Sequence, residues 1–575
     1  MKKREPQITA VSRRLGDEER TGVREALSAT QRLFEAARGR LRDRLLAPGQ
    51  GRLSAQRLEE RQHGAHALAH LAAEIEAARQ LVEWAERSDG ALERRIAEVF
   101  AGDLVRSLRG GVTLGPCESV PLADLELGED DVAKTIATRA VVKWTNEVAS
   151  AAARARLAAE AREAGHSGDL TTGSPAMDDE LYASMRQEMR RFAEREVAPI
   201  AQGIHRDDAL VPLELIERMG ALGVFSMTIP ESFGGQGFGK VAMCVVTEEL
   251  SRGSLAVGSL GTRAEIAAEL ILSSGTEVQK ATWLPRIASG EVLPAAVFTE
   301  PNHGSDLAHI TARAERAADG GWKFDGQKTW ATHASRADLM TVLLRTEPGE
   351  KGYEGLSMFL APKRRGDDAS DFPDPGLAGT EIPVIGYRGM KEYELSFDGF
   401  RVGPEALLGG ARGAGFKQLM STFEAARIQT AARGVGVAQA ALDQASTYAH
   451  DRVQFGAPIE RFPRVAGKLG RMICLVMAAR QLTYFAARAR DSGKRCDLEA
   501  GMAKLLATRA AWECADACVQ IHGGQGYAEE SVASRLLLDA RVLSIFEGSN
   551  EVQAQVVARR LLEDGPGAGQ TVVVR

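Results

Sequence analysis

Residues able to do chemistry gather in four stretches of the chain. The first is FTEPNHGSD at 298–306 and the second KTWATHAS at 328–335. The third is DRVQFG at 451–456, and the fourth QIHGGQGY at 520–527, succeeded by IFEGSNEVQ at 545–553. Each is weak alone. GGQG occurs at both 234–237 and 523–526, and such a run is more often a turn than a ligand cradle. Glu547 by itself reads as a helix-capping acid. The other reactive types read as structural. His63, His66 and His70, with Glu74 one turn on, share one side of a helix, but no further His or Cys joins them, so packed or surface histidines and no metal site are expected. Cys514 and Cys518 stand one turn apart without ligand partners and read as buried thiols; Cys117, Cys244, Cys474 and Cys496 are too scattered for a disulfide framework. GxxxxGK[ST], a GxGxxG between strand and helix, GxSxG and HExxH are all missing, which excludes the Walker phosphate loop, the Rossmann site, the nucleophile elbow and the zincin helix.

The elements that must position these stretches change texture along the chain. Residues 25–165 read as helices with short breaks; Leu68, Leu71, Ile75, Ala78 and Val82 form one stripe at alternating spacings of three and four. AGHSGDLTTGSPAMDD has a linker composition, with Asp178 or Asp179 as N-cap of the next helix. Residues 180–290 are again helical. From about 294, short apolar runs such as WKFDG, LMTVLLRT, LSMFLAP and YELSFDGF, separated by Gly, Asp and Pro, predict antiparallel strands. After Gly410 the helical period returns, with long helices near 420–450 and 465–492 joined by DRVQFGAPIERFP. This gives an N-terminal helical extension and linker (1–175), a helical domain (176–294), a β-domain (295–408), a helical bundle (409–565) and a loose tail (566–575).

The 575 residues are 44% apolar and 26% charged, with 72 basic against 78 acidic side chains and a net charge of −6. That is a globular composition, and it argues against nucleic-acid binding as the main task. The basic opening lacks an apolar core, so no secretory signal is expected, and no apolar run reaches 18 residues. The expected compartment is the cytoplasm.

Together, and around a helical–β–helical layout, the four stretches make residues 180–563 resemble the acyl-CoA dehydrogenase family. The resemblance implies a mainly α fold with a central β-domain: a helical domain, a β-barrel-like domain and a C-terminal four-helix bundle, here with an extra N-terminal helical domain. It implies bound FAD and α,β-oxidation of an acyl-CoA thioester, with an electron-transferring flavoprotein as acceptor. TEPNHGSD is similar to the family's TEPxxGSD, which puts Phe298, Thr299 and Ser305 at the flavin and Ser305 also at the thioester arm. Trp330 and Thr332 match W-x-T, which lies against the flavin ring. Arg452, Gln454 and Phe455 match the R-x-x-F-G turn that reaches the FAD of a neighbouring subunit. Gln520, Gly523 and Gly524 match Q-x-x-GG at the other end of FAD, with Ser549 and Glu551 after the Glu-Gly pair. FEAAR places Glu424 and Arg427 along the CoA arm, and Arg559 is a candidate for the CoA end. Pro463 departs from the Gln that the family usually has after the FG turn.

Glu547, with Gly548 after it, matches the catalytic E-G-[ST]; the alternative position used by some members is Ala426 here, which cannot serve. A carboxylate in a closed apolar pocket has its pKa raised toward neutrality, and such a base contributes roughly 10²–10⁴ in rate. The thioester oxygen gains charge, and losing one preorganised donor to it costs about 3–4 kcal/mol; in the family the donors are the base's own N–H and a flavin ribityl hydroxyl. The extension, with RLEERQHGAHALAHLAAEIEAARQLVEWAE and GYRGMKEYELSFDGF, resembles the subgroup that acts on a short, branched dicarboxylic thioester such as methylsuccinyl-CoA. Isobutyryl-, isovaleryl- and glutaryl-CoA are the alternative substrates, and an oxidase, a DNA-associated relative and an inactive scaffold the alternative classes. A buried substrate carboxylate needs a cation, and Arg263 is the expected one, against a surface or interdomain salt bridge. Glu392 and Tyr393 are expected to shape the pocket or tune the flavin. The extension should cover the surface on which relatives pair into tetramers, favouring a homodimer.

Overall fold

The computed structural model describes residues 17–47, 52–115, 118–165, 170–174, 179–347, 349–350 and 352–563. The 566–575 tail, Cys117 and half of the linker at 164–179 lie outside them. The extension is built from helices Asp17–Leu45, Gln62–Ser88, Ala91–Leu108, Arg139–Val148 and Ala151–Ala164, with shorter pieces between. Leu68, Leu71, Ile75 and Ala78 are buried as their spacing requires, and Val82 packs half-buried against the same core. One departure is a hairpin of β1 (Val112–Gly115) and β2 (Glu118–Val120) inside the stretch expected to be helical. Gly110 and Gly111 end the helix there, Gly111 at φ +116°, and the β-branched Val112 and Thr113 favour extended backbone.

The extension is not a separate body. Gln62–Ser88 lies along Pro463–Asp491, Asp497–His522 and Asn550–Glu563, and Ala151–Ala164 lies along Pro463–Asp491. One apolar core therefore runs from the extension through the bundle. Polar ties cross the same seam. The fully buried Arg509 pairs with Glu74, and its Nη1 donates to the Thr113 carbonyl at 3.0 Å. His66 shares a hydrogen bond with Gln555 at 2.9 Å. Burial, with Arg509 nearby, lowers the His70 pKa to about 3, so this imidazole packs as a neutral group. Among the described residues no group of three or more His, Cys, Asp and Glu could hold a metal.

Asp179 caps the first helix of the next unit, its Oδ1 accepting from the Leu181 N–H at 2.9 Å. Beyond it come Lys240–Gly253, Leu255–Ser274 and Glu277–Ala288. The β-domain is one curled sheet of β3 (Pro294–Val297), β4 (Arg313–Arg316), β5 (Trp322–Lys328), β6 (Leu339–Arg345), β7 (Leu356–Pro362), β8 (Leu377–Ile382) and β9 (Glu392–Val402). Its order is β3-β6-β4-β5-β9-β8, with β7 also pairing β6. A second core, with Trp322 and Phe324 both edge-on to Phe359 at 5.0 Å, fills its inside. The bundle comprises Gly415–Asp451, Pro463–Asp491, Asp497–His522, Val532–Leu543 and Asn550–Glu563. Pro463 is the first residue of its helix, where the missing N–H costs no hydrogen bond.

Candidate active site

Glu547 stands on the turn between helices Val532–Leu543 and Asn550–Glu563, where the N-terminal helical unit, the β-domain and the bundle meet. Glu547 and Gly548 are both left-handed, at φ +53° and +84°. The φ of Gly548 favours glycine, and a Cβ there would also have to displace Gln553 Nε2, 2.3 Å away. Ser549 caps the last helix, its Oγ accepting from the Val552 N–H at 3.4 Å. The Asp497–His522 helix holds the turn from behind: Lys504 Nζ donates to the Gly548 carbonyl at 2.6 Å, and Thr508 and Asn550 exchange side-chain hydrogen bonds at 3.2 and 3.1 Å.

The carboxylate of Glu547 meets two guanidiniums. Its Oε2 accepts from Thr430 Oγ1 at 2.5 Å and from Arg433 Nη2 at 2.6 Å, and its Oε1 lies 3.5 Å from Arg263 Nη2. Burial pushes its pKa up, but Arg433, Arg263 and the Thr430 hydroxyl outweigh that, and the net shift is downward. This corrects the expectation of a pKa raised by an apolar pocket: the carboxylate is ion-paired. Arg433 is wholly buried, bonded to Ser259 Oγ at 3.0 Å, and lies over the Phe546 ring at 4.7 Å. The sequence reading does not single it out. The available signal is a lone arginine in TAARGVGVAQAA, a run small and apolar enough to be buried on every side.

Arg263, on Leu255–Ser274, is not at the surface. It reaches from the N-terminal helical unit to Glu547 of the bundle, but as a loose ion pair. It is buried, Nη2 is 3.4 Å from the Tyr387 hydroxyl, and Nε has no hydrogen-bond partner among the described residues. Tyr387, also unforeseen, packs edge-on to Phe546 at 5.4 Å. It closes the cluster from the β8–β9 loop, where its own N–H donates to Asp539 Oδ1 at 2.7 Å.

The remaining expected positions form an open face and two exposed edges. Trp330, at φ +57°, is 54% exposed. Thr332 Oγ1 contacts both oxygens of the buried Glu392 at 2.9 Å. Burial, opposed by Arg263 and Thr332, raises the Glu392 pKa to about 7. Tyr393 does not shape this face: it points into the β-domain core, edge-on to Phe372 at 5.3 Å, because side chains alternate along β9. Lys328, fully buried, anchors the 298–300 segment through the Phe298 carbonyl and Glu300 Oε1, both at 3.0 Å. The Thr299 carbonyl accepts from the Thr329 N–H at 2.9 Å, and Ser305 is exposed beyond it. Arg452, Gln454 and Phe455 form an exposed hairpin tip, Phe455 at 95%. Gln520, Gly523, Gly524 and Glu551 are exposed as well, and Tyr527 is 88% exposed.

Along the other wall, Glu424 accepts from Arg490 Nη1 at 3.1 Å. Arg427 is buried with its guanidinium 6.0 Å from the Phe423 ring, and it makes no hydrogen bond or ion pair among the described residues. Arg559 is exposed on the last helix and ion-paired with Glu563 at 2.5 Å.

A flat, elongated cofactor fits these features. The Trp330 ring is bare, and a Cβ on Gly523 or Gly524 would meet no atom within 4 Å, leaving room for backbone to meet a ligand closely.

Three family models match in sequence: the acyl-CoA dehydrogenase N-terminal domain at 179–291, the middle domain at 295–400 and the C-terminal domain at 413–562. The chain is 52% identical over 546 residues to the (2S)-methylsuccinyl-CoA dehydrogenase of Cereibacter sphaeroides, covering 94% of this chain and 97% of that protein. The match therefore runs through most of the extension. Among solved structures, butyryl-CoA dehydrogenase from Megasphaera elsdenii is 31% identical with a TM-score of 0.63, covering 67% of this chain and 98% of that one. The glutaryl-coenzyme A dehydrogenase–glutaryl-CoA complex is 32% identical with a TM-score of 0.62, covering 66% and 94%.

Proposed function

The chain belongs to the acyl-CoA dehydrogenase family, and from that membership we propose that it oxidises (2S)-methylsuccinyl-CoA to mesaconyl-CoA with Glu547 as the base. It is an FAD-dependent oxidoreductase acting on a CH–CH bond. The observation that carries the substrate assignment is the convergence of Arg263 and Arg433 on one carboxylate. Two buried guanidiniums face Glu547, and Glu392, which also acts on Arg263, has its pKa raised to about 7 by burial, so cationic charge is left for a further acid. A dicarboxylic thioester brings the second acid.

The same geometry gives a working cycle for the chain's own residues. Without substrate, Glu547 is the counter-ion of both arginines and is ionised. The distal carboxylate of the substrate takes over Arg263, whose Nε is unpartnered among the described residues and whose Nη2 meets the Tyr387 hydroxyl at 3.4 Å and Glu547 at 3.5 Å. Glu547 then loses part of its stabilisation, and burial raises its pKa into the range of an effective general base. It takes the α-proton. Among the described residues nothing accepts from the Glu547 N–H, so it can donate to the thioester oxygen as charge builds there. Bound FAD supplies the acceptor for the β-hydride. Trp330, Thr332, Phe298, Thr299, Ser305, Gln520, Gly523 and Gly524 would hold it, with Arg452, Gln454 and Phe455 offered to a neighbouring subunit. The buried Arg427 is placed for an anionic part of the thioester arm.

An electron-transferring flavoprotein is the proposed acceptor and a homodimer the proposed assembly. The support for a dimer is the extension, which covers one flank of the bundle while the Phe455 hairpin stays exposed. No helix among the described residues is long and apolar enough to cross a membrane. The test is anaerobic bleaching of the FAD-loaded protein by methylsuccinyl-, glutaryl-, isobutyryl-, isovaleryl- and butyryl-CoA. Fast, selective bleaching by methylsuccinyl-CoA is expected. Preference for a monoacid would overturn the substrate, and a protein that cannot be loaded with FAD would overturn the chemistry.

A further inference from the structure

Lys504 is a charged residue that this cycle does not use. Its side chain is fully buried in the Asp497–His522 helix, and its one hydrogen bond among the described residues goes to the Gly548 carbonyl at 2.6 Å. Burying an ammonium is unfavourable unless it is bonded and paired, and a leucine or methionine would fill the same space. The strongest charges acting on it are Glu547 and Glu551, which attract, and Arg427 and Arg433, which repel. Its acceptor belongs to a turn that needs support. Glu547 is a non-glycine residue at φ +53°, a conformation that persists where the surroundings over-determine it. The Thr508–Asn550 pair grips the same turn one helical turn further on.

We infer that Lys504 is a positioning residue, whose ammonium clamps the Gly548 carbonyl and fixes the Glu547–Gly548 turn so that the carboxylate and N–H of Glu547 face the substrate. This role rests on the reading of Glu547 as the base. The clamp also responds to pH. Burial outweighs the attraction of Glu547 and lowers the Lys504 pKa to about 7. Below that value the clamp is a charge-assisted hydrogen bond; above it a neutral amine remains, and such bonds are roughly half as strong. The ligand-free enzyme governs kcat/KM, so kcat/KM should fall on the alkaline side of neutrality.

The experiment uses the full-length, FAD-loaded enzyme. Wild type, Lys504→Arg, Lys504→Met and Glu547→Gln are assayed from roughly pH 6 to 9, the window that brackets the clamp's titration. An alkaline limb is expected in wild type and is expected to vanish in Lys504→Arg, whose guanidinium stays charged. Lys504→Met should lose about 10²-fold in kcat, the scale of a small misplacement at the reacting centre, with little change in product-thioester affinity read from the flavin spectrum. A flat wild-type profile overturns the inference, as does a limb unchanged in Lys504→Arg or a Lys504→Met enzyme with wild-type kcat. If the lysine variants do not fold, a flat wild-type profile still overturns the inference. An active Glu547→Gln would instead overturn the reading of the base; an inactive one beside a fully active Lys504→Met overturns only the clamp.

Discussion

Replacing Arg263 by methionine separates the substrate's carboxylate from the base. Methionine retains most of the apolar stem, so packing against Leu255–Ser274 is largely kept while the guanidinium is lost. In the ligand-free enzyme Arg263 is the weaker of the two cations on Glu547, at 3.5 Å against 2.6 Å for Arg433. Among the described residues its Nε has no hydrogen-bond partner, its Nη2 is 3.4 Å from the Tyr387 hydroxyl, and the other acid acting on it, Glu392, has its pKa raised to about 7 by burial. Most of its capacity is therefore unspent until an acid arrives. Removing one partner of a buried, hydrogen-bonded charge pair costs about 2–5 kcal/mol. Arg433 still contributes, so the low half of that range applies: about 2–3 kcal/mol, or roughly 30- to 150-fold in kcat/KM for methylsuccinyl-CoA. A monoacid such as butyryl-CoA has no distal charge and should lose less than about tenfold. The assay is kcat/KM for both thioesters on one FAD-loaded preparation, with the ratio as the readout. An equal fall for both would make Arg263 a partner of Glu547 alone. No fall for methylsuccinyl-CoA would refute the carboxylate assignment outright.

Glu547→Gln should lose roughly 10²–10⁴ in kcat, the contribution of a positioned base, while still binding the product thioester; retained turnover would place the base elsewhere. The Arg263→Met enzyme also tests the electrostatics. Arg263 stabilises the Glu547 carboxylate, so its removal raises that pKa, and the acid limb of kcat/KM for a monoacid should move to higher pH; an unmoved limb would refute the pairing. Glu74→Ala leaves the buried Arg509 without its carboxylate partner across the seam. Arg509 keeps a looser pair with Glu513 at 3.6 Å, so the loss should fall at or below the low end of the about 3–5 kcal/mol that breaking a buried pair costs, and hydrogen exchange should show lost protection in Gln62–Ser88; unchanged protection would mean the apolar core holds the extension unaided. Light scattering should give a dimer, and a tetramer would refute the proposed role of the extension.

Local patterning makes much of this protein legible. The stripe from Leu68 to Ala78, the Asp179 cap, the apolar runs that form β5, β6, β7 and β9, and the two long bundle helices all depend on short-range periodicity and capping, which are properties of neighbouring residues. The hairpin at Val112–Val120 escapes such a reading because the surrounding helical texture outweighs the local signal of Gly110 and Gly111. The family motifs point to Glu547, because a short turn with an acid and a glycine keeps its meaning in one dimension. They cannot give its charge environment. Arg263, Arg433 and Lys504 come from three helices, the first two about 170 residues apart and the last two about 70, and only packing brings them to one carboxylate and one carbonyl. A pKa depends on the sum of desolvation and every nearby charge, so the expected upward shift becomes a downward one once the two guanidiniums are in place. Tyr393 and Glu392 show the same limit at closer range. Adjacent in sequence, they point to opposite faces of β9, and the sheet alone decides which of those faces meets the core and which the site.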